Sequence, residues 1–162
     1  MRTRSQLEGA GLTSYLGVCG TDHTTGDGML FRSSRVRFAD ATDGTSNTLL
    51  ICERPPSTGN GGFGWWYAGV GQDSAGSGDM LLGVREINRR SSSYTEGCGV
   101  GPYRFLSGAD EPCDTFHFWS RHPGGANAAF ADGSLRFLRY AADEMLPALA
   151  TRAGGEVSTV PE

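Results

Sequence analysis

Residues 127–139 read NAAFADGSLRFLR, and this stretch decides more of the fold than any other. Two short, partly apolar runs flank Asp132-Gly133, and Asp-Gly in such a setting is the strongest short-range signal for a β-hairpin. A type I′ turn needs positive φ at both central residues, so we predict a two-residue turn there. Leu135 and Phe137 alternate with Arg136, which predicts that the two apolar side chains enter the core and Arg136 faces solvent.

Other segments predict further short strands and one helix. Residues 48–53 (TLLICE) form the most convincing central strand, and residues 14–19 form a second buried strand. Shorter strand candidates lie at residues 29–31, 36–38, 65–70 and 116–120. Residues 142–152 predict a C-terminal helix, with an apolar stripe and Pro147 near the first turn. We therefore expect an α+β fold, rich in antiparallel strands and long Gly-rich loops, with one C-terminal helix.

Composition narrows the classes of function. The chain has 162 residues, which fits a single domain, and its 25 glycines are roughly twice the usual share. The net charge is −4, so the basic footprint of a nucleic-acid-binding protein is missing and no nucleic-acid partner is expected. No stretch approaches the ~20 apolar residues of a membrane span. We expect this chain itself to be soluble, with any targeting segment outside it.

Cysteine spacing points to an oxidising compartment. Four cysteines occur in a Gly-rich, loop-rich chain. Cys98 and Cys113 flank a Gly/Pro-rich loop, and we predict that they form a disulfide. Cys19 and Cys52 lie in apolar, strand-like runs where a reduced cysteine also packs well, so a bridge and two buried thiols both remain open.

Two polar clusters are candidate sites. His122, Asn127 and Asp132 could line a ligand or ion site, but buried backbone groups in a Gly-rich loop need such partners, and we favour a structural role. A second cluster offers several oxygens within eight positions, and calcium takes six to eight oxygen ligands. The same residue types also occur in turns before a strand, where their side chains bind nearby backbone, and we favour this structural interpretation over calcium binding. The second cluster consists of Asp40, Asp43, Ser46 and Asn47.

Catalytic motifs are missing from the sequence. It contains no Gly-x-Ser-x-Gly, His-Glu-x-x-His, EF-hand or Walker pattern. Its three histidines could be combined with common serines and aspartates, but such a triad would have no support from spacing. We expect that the chain is not an enzyme and has no cofactor, with calcium as the one open alternative.

The spacing from His122 to Asp132-Gly133, with nine residues between, lies inside a longer block at residues 118–138. This block resembles a large family of planctomycete-type proteins of unknown function. Its members carry a prepilin-type processing segment at the N terminus and end in a prepilin-processing-associated domain defined by this spacing. Three further blocks resemble the family in the same order, so the resemblance extends from about residue 13 to 160. They are residues 14–18 (SYLGV), residues 43–49 (DGTSNTL) with Glu53, and residues 149–156 (LATRAGGE).

The resemblance implies two signatures. The His–Asp-Gly signature (residues 122–133) has as its characteristic residues His122, Gly124, Gly125, Asn127, Asp132 and Gly133. The second signature (residues 43–53) has as its characteristic residues Asp43, Gly44, Ser46, Asn47 and Glu53. The resemblance implies no catalytic residue.

It also implies an architecture and a location. Residues 13–162 would be the pilin-like head domain of a pilin-like or pseudopilin-like protein, and residues 1–12 the remnant of a linker. The expected partners are other pilin-like subunits or type II secretion machinery, in the cell envelope or outside the cell. Membrane contact would come only through an N-terminal helix outside this sequence. The family is sometimes labelled solute-binding, so the alternative is an extracellular module that binds carbohydrate, peptide or calcium.

Overall fold

A computed structural model describes residues 11–56, 63–64, 80–89 and 95–155. Within these residues, five strands form one sheet in the order β3-β1-β2-β4-β5. The strands are β1 (Tyr15–Val18), β2 (Leu49–Glu53), β3 (Leu81–Leu82), β4 (Gly125–Phe130) and β5 (Leu135–Arg139). Strands β1 and β3 are parallel, and every other neighbouring pair is antiparallel. With the helix α1 (Leu146–Ala150), this is the predicted α+β, β-rich architecture.

Several predicted strands are absent from the sheet. Residues 29–31 lie in a loop that buries Met29 in a small cluster with Ala41 and Ala131. Residues 36–38 lead into a 3-10 helix, Phe38–Asp40. Residues 116–120 follow another 3-10 helix, Pro112–Phe116, and are tied to the sheet through Trp119 N–H, which donates to the carbonyl of Glu53 (3.1 Å). These apolar runs anchor loops to the core. The predicted strand at residues 65–70 lies outside the described residues.

The C-terminal helix is shorter than predicted. A 3-10 helix spans Tyr140–Met145, and α1 spans only Leu146–Ala150. Pro147 lies in the first turn of α1 and has no N–H to donate to the preceding turn, so one continuous α-helix from residue 142 is disfavoured. Leu146 and Leu149 of α1 are nevertheless fully buried, as the apolar stripe predicted.

The predicted hairpin is present, but the turn is not type I′. Phe130 N–H donates to Ser134 O and Gly133 N–H donates to Phe130 O, both at 2.9 Å. Gly133 has φ 85°, whereas Asp132 is not in the positive-φ region. These features define a three-residue connection with a bulge at Gly133. One extra residue in the turn reverses the faces of the strand that follows it.

The predicted orientation of β5 is therefore wrong. Leu135 and Phe137 are 81% and 46% exposed, and Leu138 is the residue that enters the core. Arg136 is half-buried on the core side of the sheet: its guanidinium lies 4.3 Å from the centroid of the Phe130 ring and donates to Ser46 O (3.0 Å).

The core lies on one face of the sheet. Alternate strand residues pack against α1 and two aromatic rings, Phe105 and Phe118. The strand residues are Leu16, Val18, Leu49, Cys52, Leu82, Ala126, Ala128, Phe130 and Leu138. No helix in the described residues is both long and apolar enough to cross a membrane.

Two of the four cysteines form a disulfide, and the other two are free thiols. Cys98 and Cys113 form the predicted disulfide, with Cα atoms 5.5 Å apart. Cys19 and Cys52 are free and buried. Burial raises the pKa of Cys52 to about 12 and raises that of Cys19 still further, so both are neutral thiols that pack as small apolar groups.

Candidate functional site: the junction of the two signatures

The sheet brings the two signatures together. Strand β2 carries the end of the second signature, and β4 carries most of the His–Asp-Gly signature. Because Cys52 pairs with Ala128 in an antiparallel ladder, Glu53 lies opposite Asn127. Asn127 in turn pairs with Phe137 on β5. Glu53, Asn127 and Phe137 thus form one row across the face of the sheet that is opposite the core.

Glu53 is the centre of this row. Its carboxylate is largely buried, and Oε2 accepts hydrogen bonds from the backbone N–H (3.0 Å) and the side-chain amide (3.1 Å) of Asn127. Oε1 lies 3.7 Å from Nε2 of His122. A buried carboxylate is destabilising unless it is paired or hydrogen-bonded, and Asn127 supplies those bonds.

His122 is held through its backbone. Its N–H donates to Ser120 Oγ (2.9 Å), and Ser120 Oγ donates to Gly125 O (2.7 Å). The imidazole is 55% exposed, meets the Phe137 ring edge-on at 6.4 Å between centroids, and makes no hydrogen bond within the described residues. Both side chains were expected to bind loop backbone. The Asn127 amide binds Glu53 instead, and the His122 ring lies beside Phe137.

The glycines of the signature serve close packing and the turn. A Cβ atom on Gly125 would lie 2.0 Å from Leu138 O, so β4 and β5 could not approach each other with any larger residue there. Gly124 has φ 84°, which a residue with a Cβ adopts only with strain.

The tip of the hairpin docks on the second signature. Ala131 N–H donates to Thr48 O (2.8 Å), and Asp132 N–H donates to Thr45 O (3.1 Å). The Asp132 carboxylate accepts from the backbone N–H of Ser134 (2.9 Å), and hydrogen bonding to Ser134 lowers the pKa of Asp132. The Asp132 carboxylate is therefore engaged within its own turn.

The second signature also binds the C-terminal segment. Asp43 accepts hydrogen bonds from the backbone N–H groups of Gly154 (2.7 Å) and Gly155 (3.1 Å). Asn47 donates its amide to Asp43 O (3.1 Å), and Gly44 has φ 94°. Asp43 is thus committed to anchoring the end of the described chain.

The calcium candidates are engaged by protein partners. Asp40 pairs with Arg37 at 2.9 Å, and this hydrogen bond lowers the pKa of Asp40. Asp43 is occupied by the C-terminal segment, and Ser46 uses its carbonyl to accept from Arg136. Among the described residues, no group of three or more His, Cys, Asp or Glu side chains could hold a metal ion.

Sequence reasoning missed several buried polar contacts. Arg152 donates to Gly26 O (2.7 Å) and Gly28 O (2.8 Å), closing the C-terminal segment onto the loop after β1. His23 lies 2.5 Å from Glu86, and His117 lies 2.9 Å from Asp114. Arg152 lies inside the block at residues 149–156 that resembles the family. No local pattern predicts the partners of either histidine.

One histidine–carboxylate contact lies at the surface of the described residues. Three histidine–carboxylate contacts occur in the described residues. The imidazole is buried in two of them and exposed in the third, between His122 and Glu53. A nucleophilic mechanism needs a hydroxyl or thiol within hydrogen-bond reach of the base. The hydroxyl in the same loop, Ser120 Oγ, donates its proton to Gly125 O and faces the backbone of His122, not its ring. In the described part of this loop, Ser120 is therefore not placed for activation by the His122 ring.

Comparison with known proteins identifies a family. The family model described as "Protein of unknown function (DUF1559)", with the short name SBP_bac_10, matches residues 2–145. No curated protein and no solved structure is significantly similar to the chain. The match covers most of the chain, including both signatures and the sheet they form, and the chain therefore belongs to the DUF1559 family.

Proposed function

We propose that this chain is a non-enzymatic head domain with a structural or assembly role in a pilin-like or pseudopilin-like structure of the cell envelope. Its partners would be other pilin-like subunits or secretion machinery. A helix N-terminal to this sequence would provide the link to the membrane. The acidic net charge argues against a nucleic-acid partner.

The observation that carries this proposal is that the signature side chains described above mostly bind other groups of the same domain. Asn127 binds Glu53, Asp132 binds its own turn, and Asp43 binds the backbone of the C-terminal segment. A set of polar residues around an active site would leave donors, acceptors or a nucleophile directed at a substrate. Here most of these groups are used to hold loops on the sheet, which favours a domain whose role is to present a stable surface.

A second candidate function is an extracellular binding module. The observation in its favour is the imidazole of His122, which is exposed beside the Phe137 ring and above the Glu53 carboxylate. An aromatic face next to polar groups suits carbohydrate or peptide ligands. Calcium is disfavoured because Asp40 and Asp43 have other partners.

The deciding experiment joins the chain to a prepilin-type N-terminal helix in a host with prepilin peptidase and a pilus or pseudopilus. Incorporation into filaments, tested by immunolabelling of sheared fibres, is the expected result. The matched control carries the same helix with its processing site inactivated. Two results together would replace the assembly role with the binding role. They are failure to incorporate, and saturable binding of a carbohydrate or peptide that His122→Ala abolishes.

A further inference from the structure

Among the described residues, strand β5 is the last strand of the sheet, and none of them pairs with its outer edge. The hydrogen bonds Phe130 N–Ser134 O and Tyr140 N–Gly124 O fix the phase of the β4–β5 ladder. Because bonding alternates along an antiparallel pair, Arg136 and Leu138 bond to β4. The N–H groups of residues 135, 137 and 139 and the C=O groups of residues 135 and 137 therefore point outward. Within the described residues, no hydrogen bond uses them.

Two apolar side chains of this edge strand are exposed. Leu135 is 81% exposed and Phe137 is 46% exposed, and both lie on the face opposite the core. Proteins normally protect edges with inward-pointing charges, proline or a covering segment, because a bare edge pairs with other strands. Arg136, which could have protected the edge, is instead drawn to Ser46 O and the Phe130 ring.

We infer that the β5 edge pairs with β5 of a second copy of this chain, antiparallel and centred on Phe137. Phe137 would then face Phe137 of the second copy in a hydrogen-bonded pair, and Leu135 would face Arg139. This inference rests on the geometry of the edge alone and goes beyond the proposed function, so either can fail without the other.

The sequence of the edge complements itself in this register. Aromatic side chains that face each other across two strands stabilise the pair, and the stem of Arg139 can cover Leu135. The two copies of Arg139 lie at opposite ends, about 13 Å apart along the strands, so no like charges face each other. Arg139 of one copy would lie at the hairpin end of the other, where the acidic Asp132 stands in the turn, so opposite charges share each end of the pair.

The pairing should be weak and reversible. Five residues per strand bury much less than the ~1,200 Å² of a stable interface. We therefore expect a dimer with a dissociation constant above about 1 µM. Sedimentation equilibrium on the full 162-residue chain, over a concentration series that reaches the millimolar range, measures this constant directly.

Two variants separate edge pairing from general adhesion. Arg139 has φ −74°, which proline adopts, and its N–H is not used by β4, so Arg139→Pro removes one outward donor without distorting the strand. Leu135→Lys adds a charge to the same edge. The matched control is Val100→Lys, at an apolar residue that is 68% exposed in the disulfide loop. Urea midpoints establish that each variant is folded.

A cross-linking experiment tests the register. In a hydrogen-bonded antiparallel pair the Cα atoms lie about 5.5 Å apart, within disulfide range, so Phe137→Cys should cross-link to itself under mild oxidation. Leu135→Cys, about 13 Å from its own copy, should not.

Weakening of the dimer by at least about tenfold in Arg139→Pro and Leu135→Lys, with little change in Val100→Lys, would support the inference. A chain that remains monomeric throughout the series would overturn it and leave the edge to a different strand. A dimer that is insensitive to Arg139→Pro, or that cross-links through Leu135→Cys instead, would overturn it as well.

Discussion

Removing the Glu53 carboxylate should destabilise the domain more than any surface change, because this group joins the two signatures. Glu53→Ala leaves the backbone N–H of Asn127 without its acceptor, and an orphaned donor of this kind costs about 1–3 kcal/mol. Loss of the buried methylene contacts adds about 1 kcal/mol. The free energy of unfolding should therefore fall by about 2–4 kcal/mol.

Matched variants isolate the cause. Glu53→Gln retains an acceptor oxygen for Asn127 and should lower the free energy of unfolding by only about 1 kcal/mol. His122→Ala should cost less than about 1 kcal/mol, because the imidazole is exposed and makes no hydrogen bond to any of the described residues. Glu144→Ala is the surface control: its side chain is 79% exposed in an ion pair with Arg104, and such pairs contribute about 0–1 kcal/mol.

The assay is urea unfolding followed by tryptophan fluorescence, with both midpoint and slope recorded so that a change in stability is separated from a change in the unfolded state. A double-mutant cycle with Asn127→Ala should give a coupling of about 0.5–3 kcal/mol. The reasoning is refuted if Glu53→Ala destabilises no more than Glu144→Ala, or if the cycle shows additivity.

Three further predictions follow from local geometry. Gly125→Ala should be more destabilising than Gly133→Ala in the same urea assay, because a Cβ on Gly125 would meet Leu138 O at 2.0 Å whereas Gly133 has open space around it and only φ 85° to strain it. Equal losses would contradict this reading of the close approach. Reduction of the disulfide, whose cysteines are 15 residues apart, should lower stability by about 3 kcal/mol; an unchanged thermal midpoint after dithiothreitol would argue against that. The hydrogen bond with Glu86 raises the pKa of His23, against the opposing effect of burial. Protonated His23 therefore contributes to the free energy of unfolding in full below the ordinary histidine pKa of about 6.5, and this contribution is lost as pH rises through the pKa of the folded state. Stability measured from pH 5 to 9 should show this fall, and His23→Gln should remove it; an identical profile in the variant would exclude His23 as the source.

The sequence alone determined those features that depend on neighbouring residues. The apolar runs at residues 14–19 and 48–53 became β1 and β2, and Asp-Gly produced a hairpin, because strand propensity and turn chemistry act over a few positions. The disulfide was predictable because both cysteines flank one flexible loop. The signatures also marked residues that the fold holds together, although not how it does so.

Only the tertiary structure decided which side of each strand is buried and which polar groups meet. Asp-Gly is compatible with a two-residue turn and with a three-residue turn that has a bulge, and the docking of Asp132 N–H on Thr45 O accompanies the second. The extra residue of the three-residue turn exchanges the two faces of β5, so that Leu135 is exposed and Leu138 is buried. The pairing of Glu53 with Asn127 spans 74 positions of sequence, and no local pattern contains it. Such contacts are fixed by strand order and register, which arise from the packing of the whole sheet.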